Sequence, residues 1–273
     1  MLALLTGWMF QPRLRVWKAT ALAVVICAWG WHWWQGCSIT RLSILPANGG
    51  TAIFFDAPGT KNDLLIDCGA TNSIQWLTKP FLRAQGVNRL PSLILTHGDL
   101  RHIGGAAMMT NLFQVGQICA SPVRFRSPVY RRLLTDLGTT PKRLRTISRG
   151  DQAGLWTVLH PEPGDGFSQA DDNAMVLSGT VGGTRVLLLS DLGRPGQDAP
   201  RGRLPECASW IFPERGHSQP HNLVAADVSP RHLLRSERRL APTHVGGYEV
   251  MGREAAGNHR LMAGMPAASS TRC

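Results

Sequence analysis

Short apolar runs separated by turn-forming residues dominate the first third of the chain. Residues 42–45, 52–55 and 64–69 are rich in branched and aromatic side chains, and Gly, Pro and Asn lie between them. Runs of this length and composition predict three β-strands. Residues 73–86 carry apolar side chains at helical spacing and predict a helix, which Pro80 kinks or divides.

The same kind of pattern continues along the rest of the chain. A buried strand is predicted at 93–95 and a helix at 106–112. Later strands are predicted at 156–161, 185–191, 228–234 and 248–250. From residue 262 the chain is rich in Ala, Ser and Pro, which predicts disorder. The pattern alone therefore indicates a mixed α and β domain with many short strands.

One apolar segment near the amino end predicts a membrane anchor. Residues 19–40 hold no Lys, Arg, Asp or Glu, and as a helix these 22 residues would extend about 33 Å. Tryptophans crowd one end and basic residues flank the other, so we predict a single-pass helix at 19–38 with the domain on the extracytoplasmic side of the cell membrane. A cleaved signal peptide is the alternative. The predicted division is 1–38 basic start and anchor, 39–260 domain and 261–273 tail.

The chain is strongly basic. Its formal net charge is +11, and without residues 1–34 the remainder still has 26 basic against 18 acidic residues. This balance favours a polyanionic partner or an anionic membrane surface, and it says nothing about the fold. The six cysteines form no CxxC pair, which excludes a zinc ribbon and a thioredoxin-like redox motif.

The clearest chemical pattern follows the predicted strand at 93–95. His97, Asp99 and His102 lie within six residues, and a pair of glycines follows them. A loop that leaves a strand can bring three such side chains to one point, as a first-row metal ion requires. The alternative interpretation is a set of hydrogen-bonded polar groups at a strand end.

This HxDxxH spacing with its glycine exit resembles the metal-binding motif of the metallo-β-lactamase superfamily. Within that superfamily it is most similar to the C-terminal domain of ComEC-type DNA-uptake proteins. The resemblance implies an α+β fold, a four-layer αββα sandwich with the metal loops at one sheet edge. It also implies that His97, Asp99 and His102 bind metal and that Asp99 takes part in catalysis. Arg101 departs from the family, which has a second-metal aspartate there, and a cation at this place opposes metal binding.

The same resemblance supplies further site residues. Asp191 ends a strand at the position of the family's bridging aspartate, so it is predicted to bind metal and to act in catalysis. Asp67 resembles an aspartate that braces the metal loops, and a turn-capping role is the alternative. Asp171 and Asp172 lie where the family has a metal-binding histidine. His217 lies slightly downstream of the family's last ligand. Asp172 and His217 are therefore further candidate ligands.

The implied activity is hydrolysis of DNA by a metal-dependent phosphodiesterase during uptake, with one Zn²⁺ or Mn²⁺ ion. The altered residues at the second metal position leave a metal-free alternative, a module without catalytic activity that binds DNA or assembles a DNA-uptake system. A hydrolase for another substrate, such as a lactam or thioester, is a third interpretation because this fold serves many chemistries. The predicted partners are single- or double-stranded DNA, the membrane and a polytopic uptake channel.

Basic side chains that we predict to contact DNA are concentrated between residues 123 and 150. They are Arg124, Arg126, Arg131, Arg132, Arg143 and Arg145, together with Arg101. Phe125 and Tyr130 lie among them, which predicts base stacking in addition to phosphate contacts. The alternative is an ordinary solvated face.

Overall fold

Short apolar strands build two β-sheets that face each other. The computed structural model describes residues 15–37, 39–47, 50–138, 143–199, 209–212, 232–235, 248–253 and 260–263. Within the described residues, the first sheet has eight strands and the second has six. The architecture is therefore mixed α+β with two sheets, as predicted.

Strand bounds agree with most of the predicted runs. The first sheet contains β1 Ile39–Ala47, β2 Gly50–Asp56, β3 Leu64–Ile66, β4 Arg89–Leu95, β5 Gln114–Ala120, β6 Leu144–Thr146, β13 Tyr248–Arg253 and β14 Arg260–Ala263. The second contains β7 Gln152–Ala153, β8 Trp156–His160, β9 Val176–Val181, β10 Thr184–Leu188, β11 Ser209–Phe212 and β12 His232–Arg235. The strand order is β14-β13-β1-β2-β3-β4-β5-β6 in the first sheet and β12-β11-β10-β9-β8-β7 in the second. The predicted closing strands at 228–234 and 248–250 correspond to β12 and β13.

Strand direction decides which residues meet at each edge of the first sheet. β1 and β2 pair antiparallel, whereas β3, β4, β5 and β6 pair parallel to one another. The carboxyl ends of β3 to β6 therefore lie at one edge of the sheet and their amino ends at the other. Loops that leave β3 and β4 consequently start side by side.

The two faces of the first sheet contribute to different apolar clusters. Phe54, Leu65 and Leu93 pack with residues of the helices on one side. Their neighbours, such as Phe55 and Ile66, face the second sheet and pack with Trp156, Val158, Leu177 and Val186. This period of two follows from the pleat of a strand. A third cluster, on the other face of the second sheet, includes Val176, Leu187 and Leu189.

Short helices cover the first sheet and connect its parallel strands. They are α2 Thr71–Ser73, α3 Lys79–Ala84, α4 Leu100–Ile103, α5 Ala106–Leu112 and α6 Pro128–Gly138, and α7 Arg194–Asp198 follows β10. The predicted helix at 106–112 is thus confirmed. A π-helical turn at Ile74–Thr78 joins α2 to α3. Pro80 lies in the first turn of α3, so the predicted division occurs where a missing N–H is tolerated.

The amino-terminal segment forms a helix, α1 Arg15–Cys37. Across the part of the chain that the structure describes, no helix has both the length and the hydropathy needed to cross a membrane. The membrane-spanning character predicted for 19–38 is therefore not shown. At the other end, β14 continues to Ala263, three residues past the predicted domain boundary, and residues 264–273 of the predicted tail lie outside the described residues.

Candidate metal centre

Three strand ends bring the predicted site residues together. Asp67 follows β3 and His97 follows β4 at the same edge of the first sheet. Asp191 follows β10 of the facing sheet. The Met175 amide, just before β9, donates to the Thr96 carbonyl at 3.1 Å and ties the two sheets together at this edge. The resulting histidine–carboxylate cluster consists of Asp67, His97, Asp99, His102, Asp171 and Asp191.

A one-turn helix folds the metal-motif loop, residues 96–105, back on itself. Asp99 caps α4, since its Oδ1 accepts from the Arg101 amide at 2.9 Å. The turn brings His102 beside His97, with 4.6 Å between the ring centroids. The last residue of the loop is a glycine for a packing reason: a Cβ on Gly105 would lie 2.4 Å from the Ile74 side chain, closer than two carbon atoms can approach. The glycine exit predicted from the sequence therefore has a packing reason.

Asp67 holds this loop in place. Its Oδ1 accepts from the Thr96 amide at 2.9 Å, and its Oδ2 accepts from the Thr96 hydroxyl at 2.7 Å. The same Oδ2 lies 3.2 Å from His102 Nδ1. Asp67 adopts a φ of 54°, a left-handed conformation that is uncommon outside glycine. The residue thus orients both the loop and a histidine, which is the arrangement expected for the bracing role predicted for it.

His102 lies between two carboxylates. Its Nε2 is 3.0 Å from Asp191 Oδ2, and its Nδ1 faces Asp67. Burial alone would lower the pKa of His102, but the hydrogen bonds to Asp191 and Asp67 outweigh burial and raise the pKa to about 10. In the absence of a cation the ring is therefore an imidazolium that donates to both acids.

His97 presents a free lone pair. The Thr96 hydroxyl has one proton and donates it to Asp67, so it accepts from His97 Nδ1–H at 2.9 Å. This tautomer leaves the lone pair on Nε2, a buried atom with no hydrogen-bond partner among the described residues. Burial first, and then the charge of His102, lower the pKa of His97 to about 4. His97 is therefore neutral and ready to act as a ligand at pH 7.

Asp99 forms an ion pair with the Arg101 guanidinium. The Arg101 Nε donates to Asp99 Oδ2 at 2.8 Å, and Arg101 Nη2 contacts the same oxygen. Burial raises the pKa of Asp99, yet the hydrogen bonds from Arg101 outweigh burial and lower it overall. Arg101, which the sequence places at the second-metal position, thus neutralises a predicted ligand.

Asp171 completes the cluster from the second sheet. Its Oδ1 lies 3.8 Å from His97 Nε2. Burial, followed by the charges of Asp191 and Asp99, raises the pKa of Asp171. The neighbouring Asp172 points elsewhere, because its Oδ1 accepts from the Gly196 amide in α7 at 3.4 Å. The structure therefore brings Asp171 to the histidines in place of Asp172.

The donor set fits a divalent first-row ion. Ligand atoms of Asp67, His97 and His102 lie within 4.8 Å of one another, and so do those of His97, Asp99 and Asp171. Imidazole nitrogen and carboxylate oxygen are ligands of Zn²⁺ and Mn²⁺. Asp191 Oδ1, like His97 Nε2, is buried without a hydrogen-bond partner in the described residues. A bound cation would satisfy both of these buried ligand atoms.

Other predicted residues take different positions. His217 lies outside the described residues. Phe125 and Tyr130 are buried and pack edge to face at 5.1 Å, so the predicted base stacking on them is wrong. Arg124, Arg126, Arg131, Arg132 and Arg145 are exposed, and Arg143 is half-buried. The predicted basic surface is therefore accessible, without aromatic platforms from these two residues.

Two hydroxyl residues of the site were not among those predicted. Thr96 connects Asp67 to His97, and the Ser190 hydroxyl lies 3.0 Å from Thr96 Oγ1. Ser190 has a φ of 50°, where glycine is favoured, and it stands at a glycine position of the family motif. That departure was the signal available in the sequence.

Comparison with known proteins agrees with this geometry. A family described as the metallo-beta-lactamase superfamily matches residues 45–222. ComE operon protein 3 of Bacillus subtilis (strain 168) is 29% identical over 176 residues, which cover 58% of this chain. The match spans 23% of that relative's own length. The predicted resemblance to ComEC-type competence proteins is therefore confirmed.

Solved structures show weaker similarity. A Cronobacter sakazakii metallo-beta-lactamase with a HARLDQ motif is 14% identical with a TM-score of 0.37, covering 56% of this chain and 60% of that one. Rubredoxin oxygen:oxidoreductase from Desulfovibrio gigas is 13% identical with a TM-score of 0.39, covering 56% and 39%. Because the family match in residues 45–222 covers more than half of the chain and contains the whole histidine–carboxylate cluster, this chain belongs to the metallo-beta-lactamase superfamily.

Proposed function

We propose that this chain is a metal-dependent hydrolase that cleaves phosphodiester bonds of DNA at the histidine–carboxylate cluster. The observation that carries the proposal is the pair of buried, unpartnered ligand atoms, His97 Nε2 and Asp191 Oδ1. A bound Zn²⁺ or Mn²⁺ ion would supply Lewis acidity and lower the pKa of a water molecule. Both atoms belong to residues predicted from the sequence as metal ligands.

We assign the residues of the cluster separate roles in ion binding, orientation and proton transfer. His97, His102 and Asp191 would hold the ion, and Asp67 fixes the orientation of His102. Asp171 keeps 40% of its side chain exposed beside His97, and its raised pKa suits a proton acceptor at the solvent side. Arg101, with 43% of its side chain exposed, offers N–H donors to the oxygens of a phosphodiester.

DNA is the proposed substrate because two independent features favour a polyanion. The net charge is +11, and most of the arginines between residues 123 and 150 are exposed. The resemblance to ComEC-type DNA-uptake proteins is the second support. We further propose that the chain works at the extracytoplasmic face of the cell membrane, attached through residues 19–38, beside a polytopic uptake channel.

Metal content and nuclease activity test the proposal together. Purified protein, loaded with Zn²⁺ or Mn²⁺ and freed of excess ion, is expected to hold one ion per chain and to cleave single-stranded or duplex DNA. His97→Ala is expected to lose the ion and to lower the cleavage rate about a hundredfold. His160→Gln is the matched control, because His160 is also buried but its Nε2 donates to the Asp172 carbonyl. Less than one ion per chain, together with cleavage that survives in His97→Ala, would contradict the proposal.

A second candidate function is supported by the Asp99–Arg101 ion pair. The Arg101 guanidinium neutralises Asp99, a predicted ligand, and so weakens metal binding. It also places a positive charge where a phosphate can bind. The chain would then be a DNA-binding or assembly module without catalytic activity. Replacing Arg124, Arg126, Arg131 and Arg132 by Gln should weaken DNA binding and reduce its salt dependence. Equal affinity before and after these changes would dismiss this candidate.

A further inference from the structure

A second concave site lies at the opposite edge of the first sheet. A cavity of about 480 Å³ opens where β4 and β5 begin, with Arg89 and Gln114 in its wall. The metal-motif loop leaves the other end of β4. Seven residues of β-strand span about 20 Å, so the cavity and the metal centre are separated by roughly that distance.

Among the residues that the structure describes, the lining of this cavity is basic and contains no acidic side chain. Arg83, Arg89 and Arg143 contribute three positive charges, and Asn88 and Gln114 add neutral polar groups. Clefts lined by charge of one sign concentrate the electrostatic field and attract ions of the opposite sign. We call this site the basic cavity. Its volume lies within the usual range for small-molecule sites, and its charge selects an anion.

Two of the three guanidinium groups are held in place by uncharged partners. Arg83 Nη2 donates to the Leu112 carbonyl at 3.1 Å, and its guanidinium carbon lies 4.8 Å from the centre of the Phe113 ring. Arg143 Nε donates to the Val115 carbonyl at 3.2 Å. These contacts fix the groups without cancelling their charge. Since a guanidinium has five N–H donors, several remain for a ligand.

We propose that the basic cavity binds the phosphate groups of a nucleotide or of a DNA strand, separately from the metal centre. Planar guanidinium groups match the oxygen pairs of a phosphate and bind them with two parallel hydrogen bonds. Three of them in one concave site, with amide groups beside them, also suit an anion that carries sugar or base atoms. The site needs no ion at the histidine–carboxylate cluster and does not rest on the proposed function.

Calorimetric titration of the full chain tests this proposal. The probes are inorganic phosphate, ATP and a single-stranded 12-nucleotide DNA, each at low and moderate salt. The double variant Arg89→Gln/Arg143→Gln is expected to lower phosphate and ATP affinity at least tenfold. Arg185→Gln, an exposed arginine on β10 of the second sheet, is the control and is expected to change affinity less than twofold. If the double variant unfolds, Arg89→Gln alone is measured in its place, because it replaces an exposed side chain.

The probes also separate the two sources of phosphate. Loss of ATP and phosphate binding with unchanged DNA affinity supports a free nucleotide as the ligand. Parallel loss for all three probes supports the DNA backbone. Wild-type affinity for every probe in the double variant overturns the proposal. His97→Ala is expected to bind phosphate in the basic cavity normally, so failure of the metal-centre proposal is distinguishable from failure of this one.

Discussion

His102 makes the metal-free protein sensitive to alkaline pH. Its two carboxylate partners raise its pKa from 6.5 to about 10 in spite of burial. A proton bound more tightly in the folded state than in the unfolded state stabilises the fold. This contribution is fully present below pH 6.5 and is lost as the pH rises toward 10. His97 behaves oppositely, because burial lowers its pKa to about 4 and protonation below pH 6.5 favours the unfolded chain.

We therefore expect the free energy of unfolding in chelator to fall on the order of a few kcal/mol from pH 6.5 to 10. His102→Gln should flatten this profile, whereas His160→Gln should keep the parental slope because burial lowers the pKa of His160. Chemical denaturation at a series of pH values measures the profile. Identical slopes for the parent and His102→Gln would show that the proton resides elsewhere.

We expect Arg101 to limit how many ions the cluster can hold. Its hydrogen bond to Asp99 raises the pKa of Arg101, and burial opposes this effect. The charges of Asp99, Asp191 and Asp171 raise the pKa further, so Arg101 lies close to all three carboxylates. Arg101→Asp would release Asp99 and add a carboxylate, so the number of bound ions should rise by about one per chain. Arg101→Gln releases Asp99 alone and separates the two effects. Elemental analysis after metal loading gives the count, and no increase in either variant would refute this role.

The hairpin of β1 and β2 packs directly on the metal-motif loop. A Cβ at Gly50, the first residue of β2, would lie 1.8 Å from the Arg101 carbonyl oxygen. Backbone cannot give way as a side-chain tip can, so Gly50→Ala should displace α4. We expect a loss of roughly 1–3 kcal/mol in stability and a lower metal content. Gly164→Ala is the control, because no atom lies within 4 Å of its added Cβ. Equal melting temperature and metal content in both variants would contradict this contact.

The hydrophobic pattern within a single strand was enough to predict strands such as β2 and β4. Branched runs such as 52–55 and 93–95 correspond to β2 and the end of β4, because these two segments are buried on both faces and their sequences are continuously apolar. β5 was not predicted, since Gln114, Gly116 and Gln117 interrupt its apolar pattern near one edge. Pairing direction and sheet membership depend on contacts far apart in sequence, so only the family resemblance anticipated two facing sheets.

Side-chain direction limited the prediction of the site. Asp171 and Asp172 are adjacent in sequence, and the 3₁₀ turn at Asp171–Asn173 aims one at His97 and the other at α7. Composition cannot distinguish these two directions. Phe125 and Tyr130 likewise occur between exposed arginines but are buried in the core of the first sheet, Tyr130 as a residue of α6. Motif spacing predicted that His97 and His102 lie together, and their ring centroids are 4.6 Å apart.

Across the whole molecule, exposed apolar surface is concentrated on α1. Among the described residues, eight large apolar side chains of this helix are exposed, including Trp17, Trp29 and Trp34. Only Trp76, Leu100, Val129 and Leu155 are comparably exposed in the rest of the described chain. Such a patch is unfavourable in water, and the proposed attachment through residues 19–38 would cover it. The net positive charge of the chain beyond residue 34, by contrast, favours contact with water.

Removal of residues 1–38 should therefore release the chain from membranes. Exposed tryptophans favour the bilayer interface, and the sequence around them is basic and without acidic residues, which favours anionic lipid. Flotation with vesicles that contain anionic lipid compares the full chain with a form starting at residue 39. The full chain is expected to float with the vesicles and the shortened one to stay in the soluble fraction. A third sample, with Trp29, Trp31 and Trp34 changed to Ser, should show intermediate flotation if α1 provides the contact. Equal flotation of the full and shortened forms would assign membrane binding to the basic surface of the domain.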